Sequence, residues 1–253
     1  MIESFEKTKL AGSIASGALD EVNNIIKPGI STVEIDKLCY QFINDHKAFS
    51  APLYYRGFPK SCCTSTNHVV CHGIPSGKIL NDGDIVNVDV TAVKDGWHGD
   101  TSRMFIVGEC SIKAKKLIKI TYTAMMKAIE TIKANVKIGN IGYTIQKSVE
   151  AEGFSVVRDF CGHGIGKKFH ESPNVLHYGE KNSGQELKEG MIFTVEPMIN
   201  SGKFETKTLK DGWTAVTKDK SLSAQFEHTV GVTKEGYEIF TLSKKGLNLP
   251  PNL

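Results

Sequence analysis

The sequence predicts one α+β domain built from two related halves, and three observations carry that prediction. First, Leu80-Asn81-Asp82-Gly83-Asp84-Ile85-Val86-Asn87-Val88-Asp89 and Leu187-Lys188-Glu189-Gly190-Met191-Ile192-Phe193-Thr194-Val195-Glu196 keep Leu, an acid, Gly, Ile and Val in register, and both end on a carboxylate. Second, Cys71-His72-Gly73-Ile74-Pro75 upstream of one copy echoes Gly162-His163-Gly164-Ile165-Gly166 upstream of the other. Third, the order helix, helix, strands occurs twice, with no low-complexity tract or long Ser/Gly linker between the repeats. The chain is therefore read as a single domain over 1–253, with halves of about 1–108 and 109–253 related by a pseudo-twofold axis and a cleft between them.

Residues 1–27 place Leu10, Ile14, Ala18, Val22, Ile25 and Ile26 at helical spacing, and Lys27-Pro28-Gly29 ends that helix. Ser31 and Glu34 form a capping box, and Ile35, Leu38, Cys39 and Phe42 give the next helix a buried stripe running toward Asp45. Residues 50–98 are rich in β-branched residues and turn signals. Val88-Asp89-Val90-Thr91 and His98-Gly99-Asp100-Thr101 flank Lys94-Asp95-Gly96 as a β-hairpin. A third helix is predicted from about Lys113 to Ala134, and the turn Val136-Lys137-Ile138-Gly139 mirrors Ile26-Lys27-Pro28-Gly29. A fourth helix from about Tyr143 to Glu152 precedes strands near Val156, Ile192 to Glu196, Trp213 to Val216 and Gln225 to Val232.

A 40% hydrophobic content over 253 residues suits a globular protein with a sizeable core. No segment approaches the roughly 18 consecutive apolar residues of a membrane span, and the start lacks a signal peptide's basic-then-apolar pattern, so a cytoplasmic location is expected. With 31 basic and 28 acidic residues, a formal charge of +3 gives no compositional argument for nucleic-acid binding. The basic run Lys113-Ala114-Lys115-Lys116-Leu117-Ile118-Lys119 reads as the solvated face of a helix. Six cysteines show no C-x-x-C spacing, so reduced thiols are expected and any metal is to be sought among histidines and carboxylates.

The hairpin places Asp89 and Asp100 on one face. They face each other directly in one register; with a two-residue turn at Asp95-Gly96 they lie diagonally. Like charges on an inward face repel and resist desolvation, and a divalent cation removes both objections. Glycines surround His163, His170 follows seven residues later, and Glu196 and Glu227 each end an apolar run. Asp89, Asp100, His163, Glu196 and Glu227 thus offer four carboxylates and one imidazole, enough to balance two divalent cations of the Mn²⁺, Co²⁺, Fe²⁺ or Zn²⁺ kind. A pair of such ions would share a bridging water, lower its pKa and polarise a carbonyl, which predicts metal-assisted hydrolysis of an amide.

These residues carry a resemblance over nearly the whole chain. Pro59-Lys60-Ser61-Cys62-Cys63, Cys71-His72-Gly73-Ile74-Pro75, Asp82 to Asp89, His98-Gly99-Asp100-Thr101-Ser102, Gly162 to Gly166 with Phe169-His170-Glu171, Thr194-Val195-Glu196-Pro197 and Gln225-Phe226-Glu227-His228 resemble the type I methionine aminopeptidases of the short bacterial or organellar form. The resemblance implies the pita-bread fold, removal of N-terminal methionine from nascent proteins, and the five metal ligands named above. It further implies that His170 contacts the scissile carbonyl, that His72 hydrogen-bonds substrate beyond the scissile bond, and that Glu196 shuttles a proton. The family's methionine pocket falls here on Tyr55, Phe58, Cys63, Phe169 and Trp213, while Pro52 and Arg56 depart from its usual pattern. Twenty-six positions separate His170 from Glu196, too few for the helical insert of type II enzymes, and no N-terminal extension is expected before the first helix. A monomer in transient contact with the ribosome follows from the same resemblance. The alternatives are an aminopeptidase P or prolidase acting before proline, usually with a separate N-terminal domain, and a metal-free binding protein of the same fold, which would have lost ligands.

Overall fold

The computed structural model describes residues 1–253. The first half runs α1 (Ile2–Ile25), α2 (Thr32–Asp45), β1 (Phe49–Ser50), β2 (Cys63–Thr66), β3 (Val69–Cys71), β4 (Ile85–Lys94) and β5 (Trp97–Ile106). The second runs α3 (Ile112–Ile129), α4 (Gly139–Glu150), β6 (Ser155–Val156), β7 (Gly162–Gly164), β8 (Glu171–Val175) and β9 (Ile192–Val195). It continues through β10 (Met198–Asn200), β11 (Thr206–Thr208), β12 (Ala215–Thr217), β13 (Ser223–Gln225), β14 (Glu227–Val232) and β15 (Tyr237–Ile239). One sheet crosses both halves in the order β1-β4-β5-β14-β9-β7-β8, with β2 also on β4 and β15 also on β14; β13-β10-β6 and β11-β12-β3 form two small sheets. Helices cover one face of the large sheet and leave the other for the cleft, which is the predicted α+β, pita-bread architecture. No helix is long and apolar enough to cross a membrane.

Two large clusters make up most of the core, and the larger also takes in Ile85, Met104 and Ile106 of β4 and β5. Ile14, Ala18, Leu19 and Val22 of α1 and Ile35, Cys39 and Ile43 of α2 pack on Val86, Val88, Val90 and Ala92 of β4. Leu117, Ile118 and Met125 of α3 and Ile141, Ile145 and Val149 of α4 pack with Phe193 and Val195 of β9 and Val230 and Val232 of β14. Between α1 and β5 the buried Arg103 guanidinium donates to Asp20 at 2.9 Å, and Ser243 of the C-terminal segment donates to the same carboxylate.

The echo between residues 80–89 and 187–196 has a backbone counterpart. Gly83 (φ 90°) donates its N–H to Val107, and Gly190 (φ 88°) donates to Val232, so both turns use a glycine in the left-handed region to launch a strand. Leu80 donates to Ile30 and Leu187 to Val136. That last pair corrects the loop comparison: Val136 occupies the place of Ile30, four positions along from the Ile26 that sequence suggested. The echo of Cys71-His72-Gly73 with Gly162-His163-Gly164 is corrected too, because β7 pairs with β9 whereas β3 pairs with β12, so the two histidines leave non-equivalent strands.

Element boundaries differ where tertiary contacts intervene. The third helix ends at Ile129, short of Ala134, where the Thr131 hydroxyl donates to the Ala128 carbonyl. The fourth begins at Gly139, ahead of Tyr143, because Gly142 lets its first turn lie against the Leu176 and Tyr178 backbone, where a Cβ would sit 2.5 Å from the Tyr178 oxygen. The segment predicted as one strand from Gln225 to Val232 is split at Phe226 into β13 and β14. Leu10, which shares the helical spacing of the apolar residues of α1, is exposed. The capping box is present, with Glu34 accepting from the Ser31 N–H at 2.8 Å.

Candidate metal centre and active site

Period-two alternation delivers the first two carboxylates. With Val86, Val88, Val90 and Ala92 committed to the helices, Asp89 and Thr91 point the other way, into the cleft, while Asn87 on the same face bonds Ser102 and the Gln225 carbonyl. Lys94 pairs with Trp97 across the two-residue turn Asp95-Gly96, both at positive φ, so Asp89 faces Ser102 and Asp100 faces Thr91. This is the diagonal register, and the Thr91 hydroxyl donates to Asp100 Oδ1 at 2.6 Å. On the next strand Glu227 pairs with Ser102, which brings it onto the same face.

The second half adds His163 from β7 and Glu196 from just beyond β9. His163 Nε2 lies 3.7 Å from Asp100 Oδ2 and 3.6 Å from Glu196 Oε1. Ligand-type atoms of Asp100, His163 and Glu227 all lie within 4.8 Å of one another. All five sequence-predicted donors line one cavity of about 550 Å³.

Four carboxylates converge here, and the only permanent cation lining the cavity is Arg56. Burial pushes Glu196 up to about 8, with Asp100 adding repulsion against the hydrogen bond from Thr194. Asp100 rises to about 7, also by burial, against the opposing bonds from Thr91 and the Thr101 backbone. Asp89 and Glu227 are raised well above the carboxylate range by burial and then by the neighbouring acids. Burial lowers His163 to about 4, leaving a neutral imidazole with a free lone pair. Glu227 Oε1 is buried with no hydrogen-bond partner. Uncompensated acids, an orphaned carboxylate oxygen and a neutral imidazole are the donor set of a divalent metal, and the residues present fit one.

The predicted substrate residues line the same cavity. His170 Nδ1 is 3.1 Å from the Tyr55 hydroxyl, and its ring lies 4.1 Å from those of His163 and Phe169. Burial lowers His170 to about 3, with His163 and Arg56 adding to the effect. His72 sits opposite at φ 56°, its ring edge-on to Phe160 and Trp213, and burial lowers its pKa as well. Phe58 meets Trp213 edge-to-face at 5.2 Å, and Cys63 pairs with Asp89 across β2 and β4. Pro52 and Arg56 are wall residues, the Arg56 guanidinium lying over the Tyr55 ring. All twelve sequence-predicted site residues are thus brought together.

Sequence reasoning missed the residues that hold these groups. Thr194 and Gln225 stand two positions before Glu196 and Glu227, and both reach Glu196: Thr194 Oγ1 donates to Oε1 at 2.7 Å and Gln225 Nε2 approaches Oε2 at 3.4 Å. The period-two pattern contained that signal. His177 accepts the Glu196 N–H at 3.1 Å from a fully enclosed position that nothing in the local sequence marks. His98 stacks on Phe169 and bonds the Gly166 carbonyl, buttressing the wall that carries His170.

A pita-bread sheet with acids and an imidazole converging in its cleft defines a metal-dependent hydrolase. Comparison with known proteins narrows the class. Residues 6–234 match metallopeptidase family M24. The methionine aminopeptidase of Rickettsia prowazekii is 57% identical over 250 residues, covering 98% of this chain and 96% of the relative, and its crystal structure superposes with a TM-score of 0.95. The Escherichia coli K12 methionine aminopeptidase is 54% identical over 96% of this chain and 92% of its own length. The prolidase of Pyrococcus furiosus shares the fold at a TM-score of 0.75 and 23% identity, over 95% of this chain and 64% of the prolidase. The chain belongs to metallopeptidase family M24 and, within it, to the methionine aminopeptidases.

Proposed function

We infer that this chain is an aminopeptidase that hydrolyses the peptide bond after an N-terminal methionine of newly made proteins. The observation that carries the reading is the enclosure of four uncompensated carboxylates and a neutral imidazole at the floor of a cavity walled by Tyr55, Phe58, Phe169 and Trp213. That wall suits a thioether side chain. Near-full-length identity above 50% with methionine aminopeptidases supports the same substrate.

Asp89, Asp100, His163, Glu196 and Glu227 would hold two divalent cations, Mn²⁺, Co²⁺, Fe²⁺ or Zn²⁺. Bound there, they supply Lewis-acid polarisation of the scissile carbonyl and acidify the attacking water. Glu196 accepts that water's proton and returns it to the leaving amine, the general acid/base role of a carboxylate beside the attacking water. His170 is neutral and its Nδ1 lies 3.1 Å from the Tyr55 hydroxyl; a Tyr55 hydroxyl that donates there would leave the ring's proton on Nε2 for the developing oxyanion. His72, across the cavity, binds the peptide beyond the scissile bond. Phe58, Cys63, Phe169 and Trp213 exclude water from the methionine side chain.

The working unit is proposed as one catalytic domain over residues 1–253, with halves 1–108 and 109–253, acting as a cytoplasmic monomer in transient contact with the ribosome. The single sheet crossing both halves supports the domain assignment, and the substrate's origin on nascent chains supports the location and the contact. The test is methionine release from Met-Ala-Ser by protein reconstituted with Mn²⁺ or Co²⁺ under reducing conditions, beside an Xaa-Pro peptide. Faster cleavage of the Xaa-Pro peptide would replace this reading with that of a proline-directed peptidase.

A further inference from the structure

We propose that Thr194 is a positioning residue whose single hydroxyl locks two donors of the centre, His163 and Glu196, into one arrangement; the inference rests on the metallopeptidase reading above. The Thr194 side chain is fully buried. Its Oγ1 accepts the main-chain N–H of His163 at 3.0 Å and lies 2.7 Å from Glu196 Oε1. A hydroxyl has one proton. A backbone N–H can only donate and an ionised carboxylate can only accept, so with Glu196 ionised as a metal donor the threonine proton goes to it and both bonds have a fixed sense.

The strand geometry explains why one side chain reaches both. Thr194 and Glu196 lie two residues apart on the same face of β9 and its extension, while β7, which carries His163, pairs with β9 alongside. The remaining grips on Glu196 are weaker or remote from its head: Gln225 approaches Oε2 at 3.4 Å, and His177 holds only its main-chain N–H. Thr194 therefore sets the rotamer of Glu196 and the height of the His163 strand together. Removing the hydroxyl leaves the His163 N–H buried without an acceptor and the carboxylate free to turn.

Thr194→Val keeps the shape and β-branching and deletes both bonds; Thr194→Ser keeps the hydroxyl. Isothermal titration of Mn²⁺ into the metal-free proteins is predicted to show affinity weakened about 10- to 100-fold in Thr194→Val and within about threefold of wild type in Thr194→Ser. On Met-Ala-Ser, Thr194→Val is predicted to lose kcat by at least about tenfold with KM changed by less than about threefold, and Thr194→Ser to recover most of it. Equal behaviour of Val and Ser variants in either assay, or wild-type Mn²⁺ affinity and kcat in Thr194→Val, overturns the proposal. Should Thr194→Val not fold, Thr194→Ala answers the same comparison with Thr194→Ser. A wild-type protein that binds Mn²⁺ but releases no methionine refutes the peptidase reading instead, while the Mn²⁺ affinities of the variants still decide the role of Thr194.

Discussion

Stripping the metal turns the centre from a source of stability into a pH-dependent load. Burial raises the folded-state pKa of Glu196 from 4.5 to about 8 and that of Asp100 from 3.8 to about 7, with Asp89 and Glu227 raised well above their ordinary values. A carboxyl group whose folded pKa lies above its unfolded pKa holds its proton better when folded. Its contribution is complete below the unfolded pKa and is lost as pH rises through the folded one. The buried histidines act in the opposite sense: His163 is lowered to about 4 and His170, His177 and His228 to about 3, so their contribution is lost only as pH falls below about 6.5. Above about pH 7.5, where the unfolded histidines are already neutral, the carboxyl groups set the slope, with the raised thiols of Cys62, Cys63 and Cys71 acting in the same sense. Between pH 7.5 and 8.5 Glu196 by itself removes about 0.7 kcal/mol, and Asp89 and Glu227 act in the same direction. At roughly 2–4 °C per kcal/mol for a chain of this size, Glu196 alone lowers the Tm of chelator-treated protein by about 2 °C between pH 7.5 and 8.5, and differential scanning calorimetry should record a fall at least that large. Added Mn²⁺ should abolish the slope, since cation binding favours the ionised carboxylates. A metal-free Tm that is flat or rising across this window would refute the claim that the four acids are buried together without a compensating charge.

Three further outcomes follow from named contacts. Glu196→Gln is expected to lower kcat for Met-Ala-Ser by about 10²-fold or more in steady-state assays, the usual scale for loss of a general acid/base. Arg103→Ala leaves Asp20 as an unpaired buried charge at the α1–β5 interface and is expected to cost about 3–5 kcal/mol in urea unfolding. Phe58→Ala opens the pocket wall that Phe58 shares with Trp213 and is expected to raise KM for Met-Ala-Ser about tenfold or more while changing kcat less.

Much of this centre was legible because the residues concerned obey short-range rules. Alternation along Val86 to Thr91 told which side Asp89 faces, and Asp95-Gly96 at positive φ selected one of two hairpin registers. The repeated turn at Gly83 and Gly190 identified the strand that carries Asp89 and the one that leads into Glu196. Legibility stopped where the deciding contact came from distant chain. The His177 acceptor lies on a loop whose approach to β9 no local pattern encodes, and the start of α4 is set by a backbone contact with Leu176 and Tyr178 rather than by helix propensity. The histidine echo failed for the same reason: His72 and His163 sit in similar local sequence, yet their strands join different sheets.

The most direct test is a crystal structure of the protein loaded with Mn²⁺, with anomalous diffraction collected to locate the metal. The account predicts two anomalous peaks roughly 3.5–4 Å apart, contacted between them by Asp89, Asp100, His163, Glu196 and Glu227. Absence of metal from that cleft in Mn²⁺-saturated protein that still releases methionine, or peaks coordinated by other side chains, would contradict it.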